Sequence, residues 1–592
     1  MDTATRTEPL RGWKMVWRAR GEAPAAGDDL LDRVLGARAV ADRGAFMEPA
    51  MKQLHDPGLM PGIDRAAERL LAAAKAGEQI VVYGDYDVDG ITAAAILQRM
   101  LVALEPASSV STYVPHRVEE GYGLNSAALE QLAAHGARVV VSVDCGITAA
   151  EPAAAAKAAG LDLIITDHHN TPAAGEALPD AFAVVHPRLE GSGYPFGELC
   201  GAGVAYKLAW RMATMHNGSD KVAPDVRTLL LDLLALAALG TVADVVPLVD
   251  ENRAIVRFGL SRCTTTEITG LTSLIERAGL SGGKIDAEGV GFRLGPLLNA
   301  SGRMGHAREA VELFITQDRG RADAISGELV GLNQERRSTE KRIFEQTAEM
   351  AEQAGMTGDD RRAIVLANED WHPGVVGIVC SRLVEKFSRP VILMQRRPAR
   401  EGEPGAFVCT GSGRSIDGFD LHGAVGVCAH HLVGFGGHDV AVGLRMDAAN
   451  FDLFVEDFIE TVNSGLGVDD LVRTASYDCQ AGLDELTPAA VGTLDRLAPF
   501  GRSNPSVRLL VRGVRVDGRP EPFGKTGDHL KVRLRGPAGG GGAVQAIGWK
   551  WAELLPRFRA GQLMDVLVEP KVSDWSGRVE PVLVDVRESE VV

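Results

Sequence analysis

The chain has 592 residues, which is too many for one hydrophobic core and predicts about three to four domains. Its hydrophobic content of 45% and mean hydropathy of +0.01 are typical of a globular protein. The net charge of −17, from 62 basic and 79 acidic residues, argues against a generally basic nucleic-acid-binding surface, although a local basic channel would not show in this sum.

The chain shows no sign of a membrane segment, a secretory signal or a disulfide framework. Its longest apolar run, residues 229–239, is interrupted by Asp232 and is shorter than the ~20 residues that cross a bilayer. Residues 1–20 contain charges but no apolar segment. The seven cysteines include no Cys-x-x-Cys pair, which disfavours disulfides and a structural zinc site. We therefore expect a cytoplasmic protein that is not attached to a membrane.

The first part of the chain alternates short strands with helices. Residues 1–50 form a polar, arginine-rich lead with Trp13 and Trp17, which is either a strand that pairs with a later domain or a loose arm. After a helix within residues 61–77, apolar strands alternate with alanine-rich helices, as in βαβ units on a parallel sheet. We predict strands over residues 80–83, 111–114, 139–143, 163–166 and 183–185, and helices over 91–104, 126–135 and 149–159.

Three aspartates follow the first of these strands at alternate positions: Asp85, Asp87 and Asp89, with Gly90 closing the run before the helix. Like charges this close repel one another and raise each other's pKa unless a cation neutralises them. The usual cation at such a site is a divalent metal ion with oxygen ligands. The plainer interpretation is an acidic turn with an N-cap, but a cap uses one aspartate rather than three.

Acidic and imidazole side chains recur where later elements of the predicted sheet domain end. In an open parallel sheet, ligands bind beyond the carboxyl ends of the strands. Each of these residues alone could be a turn residue, a helix cap or a core histidine, but their recurrence favours one shared metal site. They are Asp144, Asp167, His168, His169 and Asp244.

Beyond residue 250 the pattern becomes more helical. Residues 292–305 are predicted to form a loop in which Arg303, beside glycines, could approach an anion or simply lie on the surface. Residues 322–354 have a sustained, highly charged helical pattern, which predicts a long exposed helix between two lobes. A second α/β segment then begins, with strands at 363–366 and 390–394 and a helix that ends near Phe387.

Two glycine-containing clusters follow in the second α/β segment. Residues 411–415 and 434–438 both suit a close approach of the backbone to phosphate, although each alone could be an ordinary turn. His430 and His431 are interpreted as structural, because neighbouring histidines on a helix point to different faces.

The C-terminal part changes to short β-like runs, which suggest a small barrel such as an OB-fold. The runs cover residues 507–511, 530–534, 544–548, 564–569 and 581–584, and a glycine-rich loop at 536–542 separates two of them. Aromatic side chains here could stack on bases or fill the barrel, and filling is the commoner role. These aromatic residues are Phe523, Trp549, Trp551 and Trp575.

Taken together, these acidic and histidine motifs resemble the four motifs of the DHH phosphoesterases, in that family's order, and Gly436-Gly437-His438 resembles the mark of its associated DHHA1 domain. Further motifs are similar to those of the family's single-strand-specific exonucleases. They are residues 115–123, 199–204, 293–296 and 497–501. The resemblance runs from about residue 50 to the C-terminus and implies an α/β fold. It consists of a parallel-sheet DHH domain joined by a long helix to a smaller α/β domain, followed by an OB-like β-barrel.

The resemblance implies a 5′→3′ exonuclease that degrades single-stranded DNA with two Mn²⁺ or Mg²⁺ ions, and that acts in recombination and repair. Asp87 and Asp144 would bind one ion, with Asp85 beside it as a ligand or as an anchor. The other ion would be bound by Asp89, Asp144, His168 and Asp244. Asp144 thus bridges the two ions.

The same resemblance assigns the substrate contacts. His169 would meet the scissile phosphate and, with Asp144 and Asp167, forms the expected catalytic set. Phosphates of the DNA, including a 5′-terminal one, would be bound by Arg117, Arg303, Ser412, Arg414 and His438. Single-strand-binding protein and a RecQ-like helicase are the implied partners, and we expect a monomer.

Two positions depart from the family pattern: Leu297 replaces an expected basic residue, which predicts a weaker phosphate contact, and His186 replaces a more usual asparagine. The expected domain boundaries are 1–50, 51–320, 321–355, 356–465 and 466–592. Two other functions stay open. One is a DHH-type phosphoesterase that acts on short oligonucleotides or nucleotide phosphates, and the other is a non-catalytic DNA-binding scaffold.

Overall fold

The structure is a computed structural model, which describes residues 8–21, 29–117, 119–173, 175–400, 402–403, 405–536, 542–573 and 576–590. It confirms the predicted fold class: a parallel-sheet domain is joined by a long helix to a smaller α/β domain, and a five-stranded barrel follows.

The N-terminal segment pairs with a later domain, which confirms the first of the two alternatives. It contains β1 (Leu10–Arg11), β2 (Val16–Ala19), α1 (Leu30–Ala37) and α2 (Arg43–Met47). Strand β2 runs parallel to residues 474–477 near the barrel. Trp17 is fully buried, and its indole Nε1 donates a hydrogen bond of 2.9 Å to the buried Asp585 of the barrel.

The first domain is built on a five-stranded parallel sheet with helices on its faces. Its strands are β3 (Gln79–Gly84), β4 (Ser109–Tyr113), β5 (Ala137–Val143), β6 (Asp162–Thr166) and β7 (Ala183–Val185), in the order β4-β3-β5-β6-β7. Its helices are α3 (Ile63–Ala76), α4 (Val88–Leu104), α5 (Ser126–Ala134), α6 (Ala150–Ala158), α7 (Gly201–Asn217), α8 (Pro224–Ala243), α9 (Asp250–Cys263), α10 (Thr269–Arg277), α11 (Ala287–Gly289), α12 (Gly295–Met304) and α13 (Arg308–Ile315). The chain adds β4 on one side of β3 and β5 on the other. The point where the strand order reverses therefore lies between β3 and β5, where ligands bind in such sheets.

Two local predictions in this domain are wrong. Helix α4 begins at Val88 rather than residue 91, so Gly90 lies in its first turn; a Cβ there would come within 2.6 Å of the backbone of Asp85. The predicted loop at 292–305 is helical, with a π-helical turn (Val290–Leu294) that continues into α12. Pro296 lies in the first turn of α12, where a proline is compatible with a helix.

Helix α8 is the one helix of the described ranges that is long and apolar enough to cross a membrane by length and composition. However, 61% of its most apolar 18-residue window is buried inside the protein, where it packs against α4, α7 and α9. Its apolar residues therefore form the core of the first domain.

The connecting helix α14 (Arg319–Gln353) is less exposed than predicted, because its ends contribute to the two hydrophobic cores that it joins. Ile325 and Leu329 pack into the first domain, and Ile343 and Ala351 pack into the second. The helix therefore has a packed contact with each domain.

The second domain has a mixed sheet in the order β11-β12-β10-β9-β8, in which only β8 and β9 are parallel. Its elements are β8 (Ile364–Asn368), α15 (Pro373–Phe387), β9 (Val391–Pro398), β10 (Phe407–Arg414), α16 (Leu421–Val427), β11 (Gly434–His438), β12 (Ala441–Asp447) and α17 (Phe451–Gly465). The two glycine-containing clusters are therefore strands rather than turns. A Cβ on Gly411 would lie 2.1 Å from the carbonyl oxygen of Leu393 on β9, so the close strand approach requires glycine there.

The C-terminal domain contains a closed barrel of β15, β19, β20, β18 and β17, in which β17 pairs back to β15. Its elements are β13 (Thr474–Tyr477), β14 (Cys479–Gln480), α18 (Pro488–Leu494), β15 (Leu509–Val516), β16 (Glu521–Phe523), β17 (His529–Arg535), β18 (Val544–Gly548), β19 (Leu563–Glu569) and β20 (Val582–Glu588). Trp551 is buried in its core, whereas Trp549 is 52% exposed. Trp575 and residues 537–541 lie outside the described residues.

The segment before the barrel is tied back to the first domain. The guanidinium of Arg253 on α9, which is 2% exposed, donates to the carbonyl oxygens of Ala498 (3.0 Å) and Phe46 (2.9 Å). The backbone N–H of Leu248 also donates to the carbonyl oxygen of Arg502 at 2.9 Å. The C-terminal domain follows the second domain in the chain, and these hydrogen bonds attach it directly to the first domain as well.

Candidate metal centre and anion pocket

The three aspartates after β3 have different environments. Asp85 is buried, and its Oδ1 accepts no hydrogen bond. Asp87 is the N-cap of α4, where its Oδ1 accepts from the N–H groups of Asp89 (2.9 Å) and Gly90 (3.1 Å). Asp89 points to the N-terminus of α7 and accepts from the N–H of Gly201 at 2.6 Å. The capping interpretation therefore accounts for Asp87 alone.

A second group of side chains surrounds the imidazole of His168. Its Nε2 lies 3.2 Å from Asp144 Oδ1, 3.6 Å from Asp244 Oδ2 and 3.8 Å from Asp89 Oδ2. Asp144 follows β5 with a φ of +63°, and Asp244 is the C-cap of α8. Within the described part of the chain, neither Asp144 Oδ1 nor His168 Nε2 has a hydrogen-bond partner, although both atoms are buried. Carboxylates from three separate elements thus meet at one ring nitrogen.

These side chains form two adjacent groups, each of which brings three ligand atoms within 4.8 Å of one another. One group contains Asp85, Asp87 and Asp144, and the other contains Asp89, His168 and Asp244. The short distance between Asp144 Oδ1 and His168 Nε2 connects the two groups.

The electrostatics of the two groups fit divalent cations. Burial, together with the charges of the other aspartates, raises the pKa of Asp144 well above its ordinary value and that of Asp244 to about 8. Burial lowers the pKa of His168 to about 4, so the ring is neutral and offers a lone pair. Unpartnered buried carboxylate oxygens and one neutral imidazole nitrogen are a donor set that suits Mn²⁺ or Mg²⁺.

Asp167 and His169 form a separate pair beside these groups. Asp167 Oδ1 accepts from His169 Nδ1 at 2.7 Å, and its Oδ2 accepts from the N–H of Ile147 at 2.9 Å. Burial opposes ionisation of Asp167, but its hydrogen bonds outweigh burial and hold its pKa at about 2. Burial likewise lowers the pKa of His169, but the bond and charge of Asp167 raise it to about 9. Asp167 therefore holds the ring of His169 and favours its positively charged form.

The carbonyl groups of His168 and His169 are held by a segment that sequence reasoning did not assign to the site. His186, which is fully buried, has its Nε2 2.8 Å from the carbonyl oxygen of His169, and its Nδ1 accepts from the N–H of Arg188 at 3.0 Å. The guanidinium of Arg188 donates to the carbonyl oxygen of His168. His186 could have been noticed from the sequence, because it replaces the asparagine that is more usual in the family. No sequence motif indicated Arg188.

Tyr122 is a second residue that the sequence did not assign to the site, although it lies within the motif at residues 115–123. Its hydroxyl donates to the carbonyl oxygen of Asp144 at 3.2 Å and lies 3.3 Å from His169 Nδ1. The half-exposed ring also packs edge-on against the His169 ring, with 5.8 Å between the ring centroids.

The predicted phosphate-binding arginines come together next to the acidic loop. Arg303 Nη1 donates to the carbonyl oxygen of Gly374 at 3.1 Å, at the start of α15. A Cβ on Gly377 would lie 3.3 Å from Arg414 Nη2 and 3.5 Å from Ser412 Oγ, so these side chains line the same helix. Burial and the nearby charges of Arg117, Arg336 and Arg414 lower the pKa of Arg303 to about 10. Cations so close together fit a multiply charged anion.

The remaining predicted residues lie at the edges of this cleft. His438 is exposed on β11, and its Nδ1 lies 3.5 Å from the amide nitrogen of Asn170, which follows His169. Arg117 packs over the ring of Tyr86 at 4.7 Å. Leu297, where a basic residue was expected, is buried in the core of the first domain.

Family models match most of the chain. They are the DHH family N-terminal domain at residues 79–239, the DHHA1 domain at 360–464 and the RecJ OB domain at 477–584.

Relatives named single-stranded-DNA-specific exonuclease RecJ match over nearly the whole length. The Salmonella typhimurium protein is 34% identical over 89% of this chain and 90% of its own length. The Bacillus subtilis protein is 36% identical over 91% of this chain, which spans 64% of that relative's length.

A solved structure has the same overall fold. It is RecJ from Thermus thermophilus in complex with Mn²⁺, with a TM-score of 0.78 and 29% identity; 97% of this chain and 80% of that chain are covered. The same protein has also been solved with Mg²⁺, at a TM-score of 0.73. The chain described here belongs to the RecJ family of single-stranded-DNA-specific exonucleases.

Proposed function

We propose that the chain is a metal-dependent exonuclease that degrades single-stranded DNA from the 5′ end to mononucleotides, in recombination and DNA repair. The observation that carries this proposal is that a carboxylate-rich centre with unpartnered ligand atoms lies beside a partly buried arginine pocket, because α12, which carries Arg303, packs against the acidic loop. The name shared by the RecJ relatives supports single-stranded DNA as the substrate.

In this proposal, Asp87 and Asp144 hold one divalent ion, with Asp85 beside it. The second ion is held by Asp89, Asp144, His168 and Asp244. Bound ions of this kind supply Lewis-acid charge to the phosphate and lower the pKa of bound water. Both groups of ligands contain atoms that lack a hydrogen-bond partner among the residues that the structure describes, which is the physical reason to expect ions there.

His169 is the proposed contact to the scissile phosphate. Its Nδ1 is held by Asp167, so we assign the contact with a phosphate oxygen to Nε2, which lies 3.4 Å from the Tyr122 hydroxyl. A positive charge at this position stabilises the negative charge that builds up on the phosphate during hydrolysis. Asp167, His186 and Tyr122 are positioning residues, because each acts on His169 or its backbone.

The arginine pocket accounts for the proposed polarity. A terminal 5′ phosphate carries more negative charge than an internal phosphodiester, so the cluster of Arg117, Arg303 and Arg414 favours a strand end over the middle of a strand. Ser412 adds a hydroxyl, and His438 closes the cleft from the second domain. Binding the 5′ end beside the metal centre places the first phosphodiester for cleavage.

The barrel offers a surface for the incoming strand. Phe523, His529 and the exposed Trp549 form one aromatic cluster, with ring centroids 4.8–5.7 Å apart. Lys531 lies 5.2 Å from the Phe523 ring. Aromatic faces beside cations bind unpaired bases without reading the sequence.

The decisive experiment is digestion of single-stranded DNA that is labelled at its 5′ or 3′ end, with Mn²⁺ present. The 5′ label should appear at once as a mononucleotide, while the 3′-labelled strand should shorten gradually; the reverse order would contradict the proposal. Asp144→Ala should lose cleavage but retain strand binding, which separates an enzyme from a scaffold. Blunt duplex without a free overhang should resist digestion.

The alternative enzyme class is tested with substrates of different length. A DHH-type phosphoesterase for short oligonucleotides would prefer a 3-mer to a 60-mer, whereas the exonuclease should use the long strand at least as well. The barrel favours the exonuclease, because a short substrate has no need of a second binding surface.

We further propose a monomer located in the cytoplasm, with single-strand-binding protein and a RecQ-like helicase as partners. The two partners rest on the family resemblance, and the location rests on the sequence composition. Sedimentation of the purified chain would test the monomer, pull-down with each purified partner would test the two interactions, and cell fractionation would test the location.

A further inference from the structure

Two histidines and one aspartate converge on the second domain, away from the centre described above. Residues Ala429–His431 form a 3₁₀ turn that precedes β11, and Asp457 lies on α17. His430 Nε2 lies 3.3 Å and His431 Nε2 lies 2.7 Å from the same carboxylate oxygen, Asp457 Oδ2. The expectation that the two histidines face apart is therefore wrong. They lie in a tight turn rather than an α-helix, and both rings reach one partner.

Of the three side chains, that of His431 is held by its surroundings, whereas those of His430 and Asp457 are 63% and 48% exposed. The side chain of His431 is only 10% exposed, its ring packs edge-on against Phe454, and its carbonyl oxygen accepts from Asn450 Nδ2 at 3.2 Å. Asp457 is one turn from Thr461, whose hydroxyl donates to its carbonyl oxygen within α17. The side chain of His430 is 63% exposed, so one side of the group is open to water.

We propose that His430, His431 and Asp457 bind a transition-metal ion of the Zn²⁺, Co²⁺ or Ni²⁺ type, with water completing its coordination. Two imidazoles and one carboxylate with open positions are a known ligand set for such ions. Two nitrogen ligands disfavour Mg²⁺ and Ca²⁺, which prefer oxygen. The ligand atoms all lie within 4.8 Å of one another, so small side-chain movements bring them to bonding distance.

Binding here would connect the turn before β11 to α17. Strand β11 carries His438, which faces Asn170 across the cleft. An ion at this site therefore fixes the base of the strand that closes the cleft, without contacting the catalytic ligands. The proposal does not depend on the nuclease function, because it concerns ion binding by the folded chain.

The test is equilibrium dialysis of the full-length protein against Zn²⁺ in excess Mg²⁺, followed by measurement of the zinc bound per chain. His430→Ala and Asp457→Asn should each lower the affinity of one zinc ion by about 10-fold or more. His135→Ala, which removes another exposed histidine, should leave binding unchanged. The catalytic centre is identical in all four proteins, so zinc bound there cancels in the comparison.

The two variants change the side chains in different ways, so a folding defect is not expected to affect both of them equally. A loss of zinc in both therefore indicates the loss of a ligand. His430→Ala truncates an exposed side chain, and Asp457→Asn preserves the shape of its side chain. Equal zinc stoichiometry and affinity in the wild type and both variants would overturn the proposal. Loss of zinc from His135→Ala as well would equally overturn it.

Discussion

Replacing Gly302 by alanine tests whether the contact between α12 and the acidic loop determines activity. A Cβ at this position would lie 2.4 Å from the carbonyl oxygen of Tyr86, between Asp85 and Asp87. An ordinary van der Waals contact is about 3.5 Å, so α12 or the loop has to move by about 1 Å. The same helix carries Arg303, and its Asn299 Oδ1 accepts from the N–H of Val88 at 3.2 Å. The displacement therefore separates the arginine pocket from the proposed metal ligands.

A misplacement of 1 Å costs about 100-fold in rate, and overpacking a buried site costs about 1–3 kcal/mol of unfolding free energy. We expect Gly302→Ala to lower kcat for 5′-phosphorylated single-stranded DNA by about 100-fold and to lower stability within that range. The assays are digestion at a temperature where both proteins are folded, and urea denaturation.

Gly327→Ala is the matched control, since Gly327 lies within α14 with nothing within 4 Å of the added Cβ. It should retain activity and gain about 0.5–1 kcal/mol, because alanine favours a helix over glycine. Wild-type kcat in Gly302→Ala would refute the reasoning, as would an equal loss of activity in the control.

Four further changes test other parts of the site. Arg414→Gln should lower kcat/KM about 10- to 100-fold on a 5′-phosphorylated strand and leave a 5′-hydroxyl strand unchanged, as measured by competing digestion. His186→Ala should lower kcat without raising KM, because the His169 carbonyl loses its buried partner at a cost of about 1–3 kcal/mol; His186→Asn, which keeps a donor, should recover most of kcat. Trp549→Ala should weaken binding of long strands by about 1–3 kcal/mol in a fluorescence titration and leave kcat on a 3-mer unchanged. Chelation should abolish cleavage, and Mn²⁺ should restore it; cleavage that survives chelation would contradict the metal assignments.

The position of the motif residues at the ends of the strands could be predicted from the sequence, because the topology of the sheet determines it. Asp85 and Asp144 follow neighbouring strands, so a parallel sheet brings them together whatever the details of the loops. Strand and helix periodicity likewise indicated the barrel and the connecting helix. These predictions needed only local patterns and one rule of topology.

Contacts between distant segments were not accessible in the same way. The glycines in residues 411–415 and 434–438 were interpreted as sites of close approach to phosphate or as ordinary turns. Their need for close strand packing depends on which strands become neighbours. The contact of Arg188 could not be predicted, because an arginine is usually exposed and its partner, the carbonyl oxygen of His168, belongs to another loop. His430 and His431 were misread because their shared partner, Asp457, lies 26 residues or more further along the chain.

The anchoring of Arg253 has a consequence for how the enzyme can open. The first domain continues through α14 into the second domain, and from there into the barrel segment that Arg253 holds against the first domain again. The domains are therefore connected in a ring, through α14 on one side and through the Arg253 contact on the other. We expect the cleft between the first and second domains to widen only if both connections move. We expect entry of a double helix to require movement both of the connecting helix and of the buried Arg253 guanidinium contact. Loosening this joint should relax discrimination against duplex DNA while the chemistry at the metal centre stays intact.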